Sequence, residues 1–316
     1  MKKYLLSAFV VLCLVSLRAQ DLRNSLLQYQ FNALPLNPAY AGKAGAEGFE
    51  AIYFGNFASE FQLSRSVLVS VHGQAGESKK AGVGGTLQFY QQDFFGEINL
   101  QPAYSRIFQL SEGQVAFGAT LGVNYFDVDE TVLTTVNSNF MSLDGGFGIY
   151  YHTDKHFAGI SVLRLFEKSF FLDEKLPGNA LQRENPFSLH AGTLFRINDQ
   201  IKLKPAALLR YVNLYGLPDR KKDDVYRLLS ADLHASLVID DTYVAGLIFG
   251  YSDPELGQNI SRVGLSATLL LGNFRLSYAI QHNSRADSAI SLPVSHLFGA
   301  GYDFFQHESE TPIRYF

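Results

Sequence analysis

The feature that most constrains this chain is an alternation with period two that returns along almost its whole length. In VAFGATLGVNYF, Val115, Phe117, Ala119, Leu121, Val123 and Tyr125 are apolar, while Ala116, Gly118, Thr120, Gly122 and Asn124 between them are small or polar. Successive side chains of a strand point to opposite faces, so each such segment has one greasy face and one small or wet face. The pattern recurs at Ile201, Leu203, Pro205, Ala207, Leu209 and Tyr211 against Lys202, Lys204 and Arg210. It recurs again at Leu229, Ala231, Leu233, Ala235, Leu237 and Ile239 against Asp232, His234 and Ser236. Val263 to Leu271 against Arg262, Ser266 and Thr268, and Phe274 to Ile280 against Arg275 and Gln281, follow the same rule.

The spacing predicts about fourteen strands of roughly ten residues, the length of a tilted membrane-crossing strand. They lie near 48–55, 64–73, 81–91, 97–108, 115–126, 143–152, 157–165, 187–196, 201–211, 227–239, 243–251, 261–271, 274–281 and 294–304. From the fifth strand onward the links alternate: long at 127–142, 166–186, 212–226, 252–260 and 282–293, short at 153–156, Asn198-Asp199, 240–242 and 272–273. Long loops gathered at one end distinguish an outer-membrane barrel from a soluble sandwich. The outward rows beginning at 115, 201, 229, 263 and 274 carry no charge, and a Lys or Arg facing lipid at mid-depth costs roughly 2–4 kcal/mol. Arg106 and Arg164 fall on outward rows near strand ends. Closure leaves no backbone group unpaired in hydrocarbon, so the expected fold is all-β: a transmembrane antiparallel up-and-down β-barrel.

Residues 1–19 read as an export signal, with Lys2 and Lys3 ahead of the apolar stretch Tyr4 to Leu17. The single cysteine, Cys13, lies inside it, so the remainder needs neither disulfide nor thiolate ligand. A formal net charge of −4 leaves no electrostatic footprint for nucleic acid. The expected divisions are an N-terminal periplasmic or plug segment at 20–47, the barrel at 48–305 and a tail at 306–316. Small inward residues, Gly82, Gly84, Gly118, Gly122, Gly146 and Gly148, either make room for that segment or let the strands bend.

The segment QYQFNALPLNPAYAG, with Asn32, Leu34, Asn37, Pro38, Ala39, Tyr40 and Gly42, resembles the opening of the PorP/SprF family, outer-membrane proteins of the Bacteroidetes type IX secretion and gliding machinery. VAFGATLGVNYFDVD, FGIYYHTDKHFAGIS, INDQIKLKPAALLRYV and SLPVSHLFGAGYDF are similar to later family blocks in the same order. The Asn37-Pro38-Ala39 triplet is also similar to the start of FadL-type transporters, barrels with an N-terminal hatch. The chain departs from the family in having no tryptophan near the second strand and in Leu297 after the histidine. The last strand, with Gly299, Tyr302 and Phe304, resembles a barrel-assembly signal; the terminal Phe316 is the other candidate.

No catalytic constellation is expected, since no G-x-S-x-G elbow frames a serine and AGVGGT lacks the Lys-Ser/Thr of a phosphate loop. No cofactor is implied, and His190 and His234 stand without the ligand spacing of a metal site; they read as members of a lumen hydrogen-bond network. The inward charges, Asp144, Arg196, Lys202, Lys204, Arg210, Asp232, Arg262 and Arg275, form either a mixed network or an anion-favouring lumen. The charged loop 216–227 is a solvated run or an outer docking site. The resemblance implies a non-enzymatic role in secreting or anchoring a cargo protein such as an adhesin with a C-terminal sorting domain, in contact with periplasmic ring components and outer-membrane lipid. The rival expectation is a porin-like or FadL-like channel for small or hydrophobic solutes.

Overall fold

The computed structural model describes residues 29, 31–43, 47–58, 61–92, 95–128, 139–171, 186–212, 228–254, 260–285 and 294–304. The expected signal, the tail and most of the long loops, including 216–227, lie outside the described residues. Fourteen antiparallel strands form a closed barrel, with one two-residue strand in addition. In chain order they are β1 (Gly48–Ala58), β2 (Phe61–Ala75), β3 (Ala81–Gln92), β4 (Phe95–Gln109), β5 (Gln114–Val128), β6 (Phe140–His152), β7 (His156–Phe171) and β8 (Pro186–Thr193). Then follow β9 (Phe195–Arg196), β10 (Ile201–Val212), β11 (Leu228–Ile239), β12 (Tyr243–Pro254), β13 (Ile260–Leu271), β14 (Phe274–Arg285) and β15 (Val294–Asp303).

Each strand pairs with its sequence neighbour, except that β8 and β9 both pair with β10, and β1 returns to β15 with Gly48 opposite Asp303 and Phe57 opposite Val294. That register closes the wall, so no edge faces lipid. The alternation sorts side chains by face as expected. Leu233, Val263, Leu265, Phe117 and Leu276 are exposed on the outside, while their neighbours Asp232, His234, Arg262, Gly118 and Arg275 are buried. Aromatic rings collect outside near the short turns: Phe195, Tyr243, Phe274, Tyr302 and Phe304, with Phe274 and Tyr302 stacked edge-on at 4.9 Å. Such a girdle marks a bilayer interface.

Several strands run past the expected ends; β2 spans 61–75 and β7 spans 156–171. Backbone pairing continues beyond the greasy belt, where alternation gives no signal. The links at 59–60 and 93–94 are short, so long loops at that end begin only after β5. The strand expected over 187–196 breaks at Leu194, which is buried and donates its amide to Lys155 O at 2.8 Å; β9 resumes beyond it.

A larger correction concerns β7. The β6–β7 ladder shifts register between Gly145 and Phe147, which pair with Phe166 and Val162 respectively. Residues 163–165 of β7 therefore face the single residue Gly146, a bulge. Arg164 takes a left-handed conformation, φ 53°, and turns inward to Asp144 at 3.8 Å instead of lying on the outward row.

Candidate functional site

The site is built from Tyr29 and residues 31–43, which lie inside the barrel. Their partners come from strands around the circumference, and one short segment can touch them all only from within. Asn37 starts a 3-10 turn at Pro38–Tyr40, its Oδ1 accepting from Ala39 N at 3.0 Å. Proline after the cap suits this start, because its missing N–H is an orphan there anyway. The Asn37 amide points into the wall, donating to Ile149 O (2.9 Å) and Ile160 O (3.3 Å), cross-strand partners on β6 and β7. Asn37 is 0% exposed, so losing these bonds would strand its amide in a dry place.

Backbone carbonyls of the segment are met by small inward hydroxyls. Ser161 Oγ donates to Leu36 O (2.6 Å) and Ser105 Oγ to Ala41 O (2.7 Å). Asn32 Nδ2 donates to Ser70 Oγ at 2.5 Å and its Oδ1 accepts from Leu34 N at 3.0 Å. Tyr40 Oη donates to Phe31 O (3.0 Å), closing the segment on itself. Tyr29, Ala33, Leu34, Leu36, Ala39, Tyr40 and Ala41 share one apolar core with wall residues such as Tyr150, Phe157, Leu208 and Val238.

Three glycines provide the close approach. A Cβ at Gly82 would run into Ala41, one at Gly118 into Ala39, and one at Gly148 into Asn37. Gly84, Gly122 and Gly146 do different work: they face His72 with Val71, Asp144, and Val162 with Leu163, neighbours within the wall. Three of the six inward glycines thus face the segment and three face neighbours within the wall.

Charges gather around Phe31 and Lys43. Arg275 Nη2 meets Glu50 of β1 at 3.2 Å, Nη1 meets Asp303 of β15 at 3.6 Å, and its Cζ lies 5.5 Å from the Phe31 ring. Lys204 Nζ is 4.5 Å from the same ring, so two basic side chains meet Phe31. Burial pushes the Lys43 ammonium down to about 7; the Glu47 carboxylate opposes that, Arg275 adds to it and Asp303 opposes it. Burial likewise raises the Tyr29 and Tyr40 phenols, so both stay protonated.

Nearer the long loops the wall carries its own polar network. Arg262 donates to Ser252 Oγ (2.5 Å), Ser230 Oγ (2.9 Å) and Asp232 Oδ1 (3.1 Å). Asn124 bridges Asp144 (2.8 Å) and Asn99, and Asn56 joins Ser64 (2.9 Å) to Ser295 (2.5 Å). Lys202, Lys204, Arg210, Asp232, His234, Arg262 and Arg275 are all buried on the inner face. Arg196 is not: its side chain is 67% exposed and pairs with Asp199 at the rim. It stands opposite Lys202 at the last step of the sheet, where the rim opens to solvent.

His190 departs from expectation in another way. Both ring nitrogens lack a hydrogen-bond partner among the described residues, and the ring packs instead on Tyr150 (5.7 Å), Phe157 (6.1 Å) and Tyr29 (6.4 Å). His234 lies edge-on to Tyr29 at 5.0 Å. Tyr29, Phe31, Lys43, Glu50, His72, Tyr150 and Asp303 escaped the sequence reading. Only the Asn-Pro turn signal and the inward positions of Glu50 and His72 were there to find.

A closed sheet, greasy outside and buried-polar inside, with aromatic rings at its rim, defines an integral outer-membrane β-barrel. The model of the family described as "Type IX secretion system membrane protein PorP/SprF" matches residues 19–302, and the chain belongs to that family. No curated protein matches the chain. Among solved structures, a TodX deltaS2S3 mutant, a monoaromatic hydrocarbon channel, shares the fold at TM-score 0.51 and 10% identity, covering 86% of this chain and 94% of that one. The Pseudomonas putida toluene transporter TodX gives 0.47 at 12% identity, with 86% and 93% covered. Acinetobacter baumannii Omp33 gives 0.44 at 8% identity, with 82% and 98% covered.

Proposed function

We propose that this barrel is a non-enzymatic docking component of the type IX apparatus, with residues 29–43 serving as a plug. It helps secrete a cargo protein, such as an adhesin with a C-terminal sorting domain, or anchors it at the surface. The short-turn end meets periplasmic ring components and the long-loop end meets cargo. The observation that carries this reading is the seating of residues 29–43 against β2, β4, β5, β6, β7, β8, β10, β11 and β14. A lumen occupied in this way favours rigid docking over passage of solutes.

Two experiments test it. Purified barrel in planar bilayers should show no steady conductance; regular single-channel steps or liposome swelling would instead establish the channel reading, porin-like or FadL-like. Deleting the gene and surveying surface proteins should remove one or a few cargo proteins; an unchanged surface set would defeat the secretion role.

A further inference from the structure

The seam where β1 meets β15 is held differently at its two ends. Towards the long loops, Phe54 and Leu297 stand opposite each other in a buried apolar cluster with Ile52, Leu68, Ile248 and Ala279. One inward step further, Asn56 meets Ser295 at 2.5 Å. At the short-turn end the two lowest inward rows each contain a glycine, Gly48 opposite Asp303 and Glu50 opposite Gly301. The backbone ladder continues there, with Phe304 N donating to Glu47 O at 2.8 Å. What this end lacks is contact between facing side chains, which stabilises a strand pair beyond its backbone bonds.

Arg275 of β14 supplies the missing contact. Arg275, Gly301 and Glu50 share one row across β14, β15 and β1, and a Cβ at Gly301 would lie 3.0 Å from Arg275 Nη2. The guanidinium therefore passes over Gly301 to reach Glu50 Oε1 at 3.2 Å, while Nη1 meets Asp303 at 3.6 Å. Glu50 is buried and its Oε2 has no hydrogen-bond partner among the described residues, so this carboxylate depends on Arg275. Phe31 closes the arrangement from the lumen, its ring 5.5 Å from Arg275 Cζ. Phe31 is itself fixed on both sides. Tyr40 Oη donates to its carbonyl at 3.0 Å, and the next residue, Asn32, donates to Ser70 of β2 at 2.5 Å. Without that ring the guanidinium would face the water of the lumen, where an ion pair holds less firmly than in a buried setting.

We propose that residues 31–43 latch the short-turn end of the β1–β15 seam, and that their undocking loosens it into a side opening of the barrel. The inference rests on the plug reading above and not on the secretion role. Release of the segment takes Phe31 off Arg275, the guanidinium is hydrated, and the bridge over Gly301 weakens. β1 then parts from β15 at Gly48–Ala51, while Asn56 and Ser295 stay paired. The opening faces the periplasmic leaflet, because the short turns of such barrels lie on that side. A plug that only fills the lumen would leave the seam as it is.

The test is amide hydrogen exchange, read by mass spectrometry on the full barrel in nanodiscs. Two variants part the ring from Arg275 by different routes. Phe31→Ala removes it, and Gly118→Leu acts from β5, away from the seam, by filling the seat of Ala39. Each should speed exchange at residues 48–51 and 300–303 at least tenfold and leave 54–57 and 294–297 as slow as in wild type. Arg275→Lys, which keeps the charge but loses the planar fork, should do the same. Heat-modifiable mobility on a gel confirms that each variant is folded, and a disulfide between Asn32→Cys and Ser70→Cys reports docking. Exchange at 48–51 as slow as in wild type in both variants would overturn the latch. So would an equal rise at both ends of the seam, which would mean a general loss of stability. Failure of that disulfide to form in the otherwise native barrel would remove the plug, and the latch with it.

Discussion

At the scale of single residues, Lys43 shows how burial turns a common side chain into a sensor of docking. Its ammonium ionises near 7 in place, against 10.5 for an exposed lysine. Between those values the released segment binds more protons than the docked one, so docking strengthens as pH rises from about 7 towards about 10.5 and is weakest below 7. The disulfide yield of Asn32→Cys with Ser70→Cys, a pair now in side-chain contact, should therefore climb through that window, and Lys43→Met should flatten the curve. No disulfide at any pH would remove the segment from its seat. Gly118 makes the complementary point. Gly118→Leu places a side chain where Ala39 sits, so the same disulfide should fall severalfold while the barrel still forms.

Among the elements, the hairpin between β11 and β12 shows where local geometry is most demanding. Asp240 and Asp241 both take positive φ, 50° and 52°, and Thr242 N donates to Ile239 O at 3.1 Å, the pattern of a type I′ turn. Asp and Asn tolerate that region, whereas β-branched residues do not. Asp241 also pairs with Lys202, so Asp240 is the cleaner probe. Urea titration of the barrel in vesicles should find Asp240→Asn nearly neutral and Asp240→Val less stable by about 1–3 kcal/mol. The bulge of β7 belongs to the same scale. Alternation placed Arg164 outside, because a period-two reading assumes one residue per step. The extra residues opposite Gly146 break that count, and only the register shows it.

For the molecule as a whole, lipid is the outer solvent and buried polar networks form the lining. Leu233 stands mid-strand on β11, 60% exposed, with no protein cover. Leu233→Lys should cost about 2–4 kcal/mol in a bilayer, read as a lower urea midpoint in vesicles. Closure is the other whole-molecule property. Arg275 links Glu50 on the first strand, Asp303 on the last, and Phe31 of the segment. Docking and sealing therefore share one guanidinium.

What the chain determined by itself was the alternation, and with it the strands, their two faces and the hairpin links. Those depend on neighbours one or two residues apart, where spacing maps directly onto geometry. Tertiary structure alone decided where β1 meets β15, which glycines face the segment, that Asn37 reaches Ile149 and Ile160, and that Arg164 turns in while Arg196 is exposed at the rim. Each of these depends on register or on contacts between residues far apart in sequence. The curvature of a closed sheet brings such residues together, and no local pattern records it.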